Sequence, residues 1–289
     1  MDYILEVNGL KKAYSKSGFV LQDISFALPM GAIMGIVGEN GSGKTTTLNI
    51  ILGLLKQNSG TVKLFGKEFD NDDIETKAKI GVVFDTNSYP LSFSAKDIAQ
   101  IHRRIYTTWD NDYYYKLLTQ FGIDEKQKIT KMSHGTKSVL SIIIALSHHP
   151  ELLILDEPTS GIDPVKREEI LDIFLDFVSD GKKSIIFSSH ITGDLEKVAD
   201  YITFIHKGQV VDSVEKDVYL YKYGIVRCNH EAFVVLGGTF PSEVLSHMQR
   251  DGRYRILVKN QKNIPPGDYV IENPTLEEIM LLITKGETL

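Results

Sequence analysis

The 289-residue chain has little of what would tie it to an oxidising compartment, a bilayer interior or nucleic acid. It has one cysteine, Cys228, so an internal disulfide is excluded. With no metal-spaced partner that residue reads as an ordinary core or surface thiol, which suits a reducing compartment. The opening MDYILEVNGL mixes acidic with apolar residues. It has no basic segment leading into a long apolar one, so no secretory signal is expected. The longest wholly apolar run near the middle is Ile142–Leu146, whereas a membrane span needs ~20 such residues. Any work at a membrane would have to go through a partner. Positive charge is also short: 32 Lys and Arg against 38 Asp and Glu give a net charge of −6, which disfavours a general nucleic-acid binder. Tandem repeats and low-complexity tracts are absent.

What is present is an ordinary globular composition, 42% hydrophobic and 24% charged, long enough for one large α/β domain and a smaller one. YILEV, VLQDISFAL, GAIMGIVG, TVKLF, IGVVF, ELLILD, KSIIFSS and YITFIHKG read as strands. A glycine-rich turn followed by a helix through Leu55 interrupts them. From about Ser94 to Ser147 the pattern turns helical, in three candidate helices: SAKDIAQIHRRIY, NDYYYKLLTQFG and SHGTKSVLSIIIALS. Asp163 and Pro164 read as an N-cap and an N1 proline. They open a helix with Ile170, Phe174 and Phe177 on one stripe. The pattern changes after about Val214. GIVRCN, AFVVLG and RYRILVKN read as strands, and Thr275 with Glu278 forms a capping box before a last helix. The expected organisation is an α/β nucleotide-binding domain over 1–213, with a helical insertion at about 88–150. A small α+β appendix over 214–289 follows.

The chemistry is concentrated in two stretches. GENGSGKTTTL, Gly38–Leu48, fits GxxxxGK(S/T) between a buried strand and a helix, the context that confirms a phosphate loop. The backbone of Gly38, Glu39, Asn40, Gly41, Ser42 and Gly43 curls around anionic oxygens, and the helix start at Lys44, Thr45 and Thr46 adds its positive end. Lys44 is expected on the β- and γ-phosphates and the Thr45 hydroxyl on Mg²⁺. The second stretch, ELLILDEPTSGIDP, ends an apolar strand in Asp156 and Glu157. Asp156 is placed to hold Mg²⁺, and Glu157 to polarise an attacking water.

The order of these motifs resembles an ATP-binding cassette (ABC) ATPase over at least residues 3–213. Further pieces carry the resemblance. Tyr14, in KKAYSKSG, stands where that family stacks an aromatic on adenine, the plainer reading being a hairpin aromatic. MSHGT stands at the family signature, usually LSGGQ, and puts Ser133, His134 and Gly135 at an anion site on a helix start. SGID matches the loop after the catalytic glutamate and adds Asp163 to the nucleotide contacts. His190, after SIIFSS, matches the switch histidine. His148 and His149 match nothing and are expected on the surface.

The resemblance implies the P-loop fold of ABC type and hydrolysis of ATP with Mg²⁺, with Glu157, His190 and Lys44 catalytic. It also implies a homodimer that sandwiches ATP between the Lys44 cradle of one copy and the Ser133 helix of the other. A separate integral membrane permease would anchor this dimer at the cytoplasmic face of the membrane. Two departures stand out. Asp85 occupies the place of a glutamine that contacts Mg²⁺ and water; it either keeps that role as an oxygen ligand or has lost it. His134 and Thr136 alter the signature. A switch GTPase is disfavoured because no NKxD stretch is present. A soluble ABC-type ATPase of translation or DNA maintenance remains the alternative. Against it, the insertion is only ~50 residues and lacks sustained heptads. Tyr89, Phe93, Tyr106 and Trp109 either furnish a docking groove for the permease or pack in the core. The overall pattern is similar to Gram-positive export ATPases of the antibiotic-peptide and phenol-soluble-modulin types, which implies export of a peptide or amphipathic cargo.

Overall fold

The computed structural model describes residues 2–14, 18–85 and 89–288. The tip of the Tyr14 hairpin and the residues just after Asp85, including the expected start of the helical insertion at 88, lie outside these. The chain divides into two compact units, Met1–Asp212 and Ser213–Leu289.

The first unit opens with β1 (Tyr3–Ala13) and β2 (Val20–Pro29), an antiparallel pair, followed by β3 (Ile33–Val37) and α1 (Lys44–Ile51). Next come β4 (Ser59–Leu64), β5 (Lys67–Glu68), α2 (Ile74–Ala78) and β6 (Ile80–Val83). Three helices follow: α3 (Ala95–Ile105), α4 (Asn111–Gln120) and α5 (His134–Leu146). The unit closes with β7 (Leu152–Asp156), α6 (Pro164–Val178), β8 (Ser184–Ser189), α7 (Thr192–Val198), β9 (Tyr201–His206) and β10 (Gln209–Glu215).

One sheet has the order β2-β1-β4-β5, the other β10-β9-β3-β8-β7-β6. In the second sheet β9, β3, β8, β7 and β6 run parallel. Strands covered on both faces must be apolar throughout, and every residue of β3, β7 and β8 is buried. The two sheets share a core in which Leu21, Ile24, Ile36, Leu48, Ile154 and Ile186 pack together. The parallel strands end side by side at Val37, Asp156 and Ser189, so the loops that carry chemistry leave from one edge, as is usual for ligand sites in open α/β sheets. Helix α1 stops at Ile51, short of the expected Leu55, and a turn follows.

The helical segment holds one clear departure from expectation. His148 is 3% exposed and stacks on Tyr106 at 4.1 Å between ring centroids. Tyr106 in turn stacks with His102, and Trp109 packs on His102. Here, aromatic packing outweighs the cost of burying an imidazole, whose pKa burial drives down to about 4. His149 is exposed and pairs with Asp110.

The second unit comprises α8 (Lys216–Lys222), β11 (Gly224–Cys228), α9 (His230–Thr239), β12 (Val244–Arg250), β13 (Arg253–Val258), β14 (Tyr269–Glu272) and α10 (Leu276–Lys285). Its antiparallel sheet has the order β12-β13-β11-β14. AFVVLG, expected as a strand from its β-branched residues, lies inside α9. Asn229 caps that helix by accepting from Ala232 N at 2.9 Å. The spacing of Phe233, Leu236 and Phe240 sets one helical stripe against the sheet core, overriding the weak strand preference of Val234 and Val235. Thr275 and Glu278 make the expected capping box, and Cys228 is a buried free thiol.

Candidate nucleotide site

Gly43 turns the chain from loop into α1 at φ 116°, a backbone state that favours glycine. A Cβ there would also lie 2.5 Å from Leu21 Cδ2, so the loop can approach β2 only without a side chain. Lys44 is 6% exposed. Its ammonium donates to the Gly38 carbonyl at 2.7 Å and to that of Glu39 at 3.3 Å, and lies 3.7 Å from Glu157 Oε1. The loop folds over its own lysine, leaving the positive group at the floor of a cavity of about 360 Å³. Gly41, Thr45, Thr46, Asp85, Glu157 and Phe19 also line this cavity, whose volume falls in the range of small-molecule sites.

β7 carries the second half of the site. Asp156 is 6% exposed and accepts a 2.5 Å hydrogen bond from Ser188 Oγ on the neighbouring strand β8. The same hydroxyl accepts from Glu157 N at 3.0 Å. Glu157 then leaves the sheet at φ 49°, uncommon for a residue with a side chain and a frequent mark of functional positions. His190, at the end of β8, holds that carboxylate twice. Its Nδ1 is 2.6 Å from Glu157 Oε2, and its backbone N–H donates to the same oxygen at 3.2 Å. Lys44, Asp156, Glu157 and His190, drawn from three sequence regions, thus meet at one edge of the sheet. Ser188, which ties two of them together, is absent from the motif reading. Its signal is a hydroxyl in a wholly buried apolar strand.

The remaining expected residues lie as follows. Ser42 is buried, and its amide donates to Glu39 O at 3.1 Å. Asp85 lines the cavity. Tyr14 is not among the lining residues; its ring packs 6.4 Å from that of Phe19, which the motifs did not single out. Ser133 caps α5, its hydroxyl accepting from Thr136 N at 3.1 Å. Gly135 meets the loop after Glu157 so closely that a Cβ would be 2.4 Å from Gly161 O. The His134 ring lies against Gly161 as well. Asp163 caps α6, accepting from Lys166 N at 3.1 Å. Ser133, His134 and Gly135 are thus gathered beside the loop that carries Glu157 and Asp163.

Comparison with known proteins agrees with this geometry. The ABC transporter family model matches residues 21–160. The bacitracin transport ATP-binding protein BcrA of Bacillus licheniformis is 32% identical over 219 residues, 75% of this chain and 71% of that protein. The lantibiotic transport ATP-binding protein SrtF of Streptococcus pyogenes is 33% identical over 219 residues, 74% of this chain and 92% of that protein. Among solved structures, a dimeric post-hydrolysis ATP-binding cassette bound to ADP and phosphate superposes with a TM-score of 0.65 at 21% identity. The match covers 73% of this chain and 98% of that one.

Proposed function

Because the chain belongs to the ATP-binding proteins of ABC transporters, an ATPase family, we propose that the Lys44 cavity hydrolyses ATP as one half of a homodimer that powers export of a peptide or amphipathic cargo. The observation that carries this reading is the placement of Glu157. Its carboxylate stands between the Lys44 ammonium, at 3.7 Å, and the His190 imidazole, at 2.6 Å, beside buried Asp156. Lys44 and the loop amides would neutralise the triphosphate. Glu157 would take the proton of the attacking water, and His190 would keep that carboxylate aimed.

Mg²⁺ fits the donors at hand, since Thr45, Asp85 and Asp156 are all oxygen ligands. Among the described residues no cluster of three or more His, Cys, Asp or Glu forms a ready-made cage. Mg²⁺ does not need one, because it takes one or two carboxylates together with substrate phosphates. When bound, it would offset phosphate charge. Residues 1–213 would form the nucleotide-binding part, and Ser133, His134 and Gly135 would close on the triphosphate held by a second copy.

No helix among the described residues is long and apolar enough to cross a membrane, so a separate permease would supply the transport path and hold the ATPase at the cytoplasmic face. The peptide cargo class is supported by the bacitracin and lantibiotic transport relatives. Glu157→Gln tests the site: ATP should still bind, turnover should fall at least a hundredfold, and a dimer should accumulate with ATP on a sizing column. Turnover at the wild-type rate would remove Glu157 from the mechanism. A strictly monomeric variant at saturating ATP would remove the sandwich.

A further inference from the structure

The sheet of the second unit breaks a local rule on one of its faces. Residues directly opposite each other on paired strands share a face. The register sets Arg227 of β11 opposite Arg255 of β13, and Arg250 of β12 opposite Arg253 of β13. Alternate residues of a strand point the same way, so Arg253 and Arg255 join both pairs on a single face. Like charges directly opposite each other destabilise a sheet. Two such pairs side by side lower stability, which points to a use outside folding.

The surroundings show which of these charges are answered. The opposite face carries Val226, Tyr254 and Ile256, which pack with Phe233 and Leu236 of α9. On the arginine face α10 packs against β12 and β13, and Ile225, Ser246 and Leu257 are buried. Arg227 Nη2 donates to Glu278 of α10 at 3.0 Å, and its Nε donates to Glu272 of β14 at 2.7 Å. Arg250 has only Asp251, at 3.8 Å with both side chains exposed, a pairing of little worth in water. Among the described residues no carboxylate lies within ion-pair distance of Arg253 or Arg255. Arg253 is exposed and Arg255 half-buried.

We propose that Arg253 and Arg255, with Arg250 beside them, dock an extended acidic segment of a partner polypeptide. Arg227 shows the chemistry that the face favours, a guanidinium held by carboxylates. Same-face residues of a strand repeat at roughly 6.6 Å. An extended segment with carboxylates at alternate positions therefore matches the spacing of Arg253 and Arg255. Both lie on β13, a line one strand wide, which suits a polypeptide better than a broad lipid surface. Its carboxylates would relieve the repulsion within the arginine pairs. The inference is independent of the ATP reading.

The probe is a labelled peptide of four Glu-Ala repeats, its binding to the full chain followed by fluorescence anisotropy, with four Gln-Ala repeats as the neutral control. The wild type should bind the acidic peptide and not the neutral one, and more weakly at high salt. Arg253→Gln with Arg255→Gln should weaken binding about tenfold, the scale of two surface ion pairs. Lys126→Gln with Lys182→Gln removes the same charge from exposed positions of the first unit and should leave affinity within about twofold. The arginine variant should unfold at the same or a higher urea concentration than the wild type, because repulsion is relieved. Equal affinity in the arginine variant and the wild type, equal losses in both double variants, or a wild type that binds no acidic peptide would overturn the inference. A lower urea midpoint in the arginine variant would make the arginines part of the fold's own support and overturn it too. Phosphatidylglycerol vesicles supply the last arm. Arginine-dependent binding to them, with no such dependence for the peptide, would assign the face to lipid instead.

Discussion

The hydroxyl of Ser188 offers a direct test of how the site is built. It is fully buried, donates to Asp156 Oδ1 at 2.5 Å and accepts from Glu157 N at 3.0 Å. One oxygen thus orients the side chain of one acid and pins the backbone of the next, where φ is 49°. Ser188→Ala removes a hydrogen bond to a carboxylate, on the order of 1.5–3 kcal/mol. Glu157 N keeps a second acceptor, Ser188 O at 3.2 Å, so the backbone loss is partial and the expected destabilisation is about 2 kcal/mol. The functional effect should exceed what stability explains. Removing the partner that orients a metal-binding carboxylate typically costs about 10–100-fold in metal affinity or activity. Urea unfolding, and ATP turnover titrated with Mg²⁺, would measure both in the same preparation. Turnover should fall by at least about tenfold at fixed Mg²⁺, with partial recovery as Mg²⁺ is raised. Wild-type turnover with an unshifted Mg²⁺ response would mean that Asp156 holds its orientation without Ser188, refuting the argument.

Two further predictions concern charge. His148 is buried against Tyr106 and, chiefly through that burial, has its pKa pushed down to about 4. Between about 6.5 and 4 the unfolded chain takes up a proton that the folded chain refuses, so stability falls with pH across that window. The total loss is up to about 3 kcal/mol. His148→Phe keeps a stacked ring and cannot titrate, so its urea midpoint should change less between pH 6.5 and 4.5; identical pH slopes would contradict this. Asp85 lines the cavity as a carboxylate. Asp85→Gln should tighten ATP binding a few-fold by removing a like charge from the phosphates, whereas Asp85→Ala should slow turnover. Indifference of binding and turnover to both changes would show that Asp85 has no part in the site.

What could be read from the sequence divides by the range of the forces involved. Local signals were legible: the Gly38–Thr45 loop, the Asp163–Pro164 helix start and the Thr275–Glu278 capping box are each written within a few residues, and each forms as expected. AFVVLG, expected as a strand, forms part of helix α9 instead. The deciding signal was Asn229, three residues ahead of Ala232, together with the spacing of Phe233, Leu236 and Phe240. Ser188 could not be found by motif at all. It acquires its significance from a residue far along the chain, Asp156, across the β7–β8 register. His148, expected on the surface, is buried for the same reason, since Tyr106 lies in another helical segment. A phosphate loop is legible because backbone amides bind the anion and the spacing of glycines reports them. The group that orients the acids, the Ser188 hydroxyl, is a side chain brought in by the sheet. Its role follows from topology, and no spacing within a single stretch reports it.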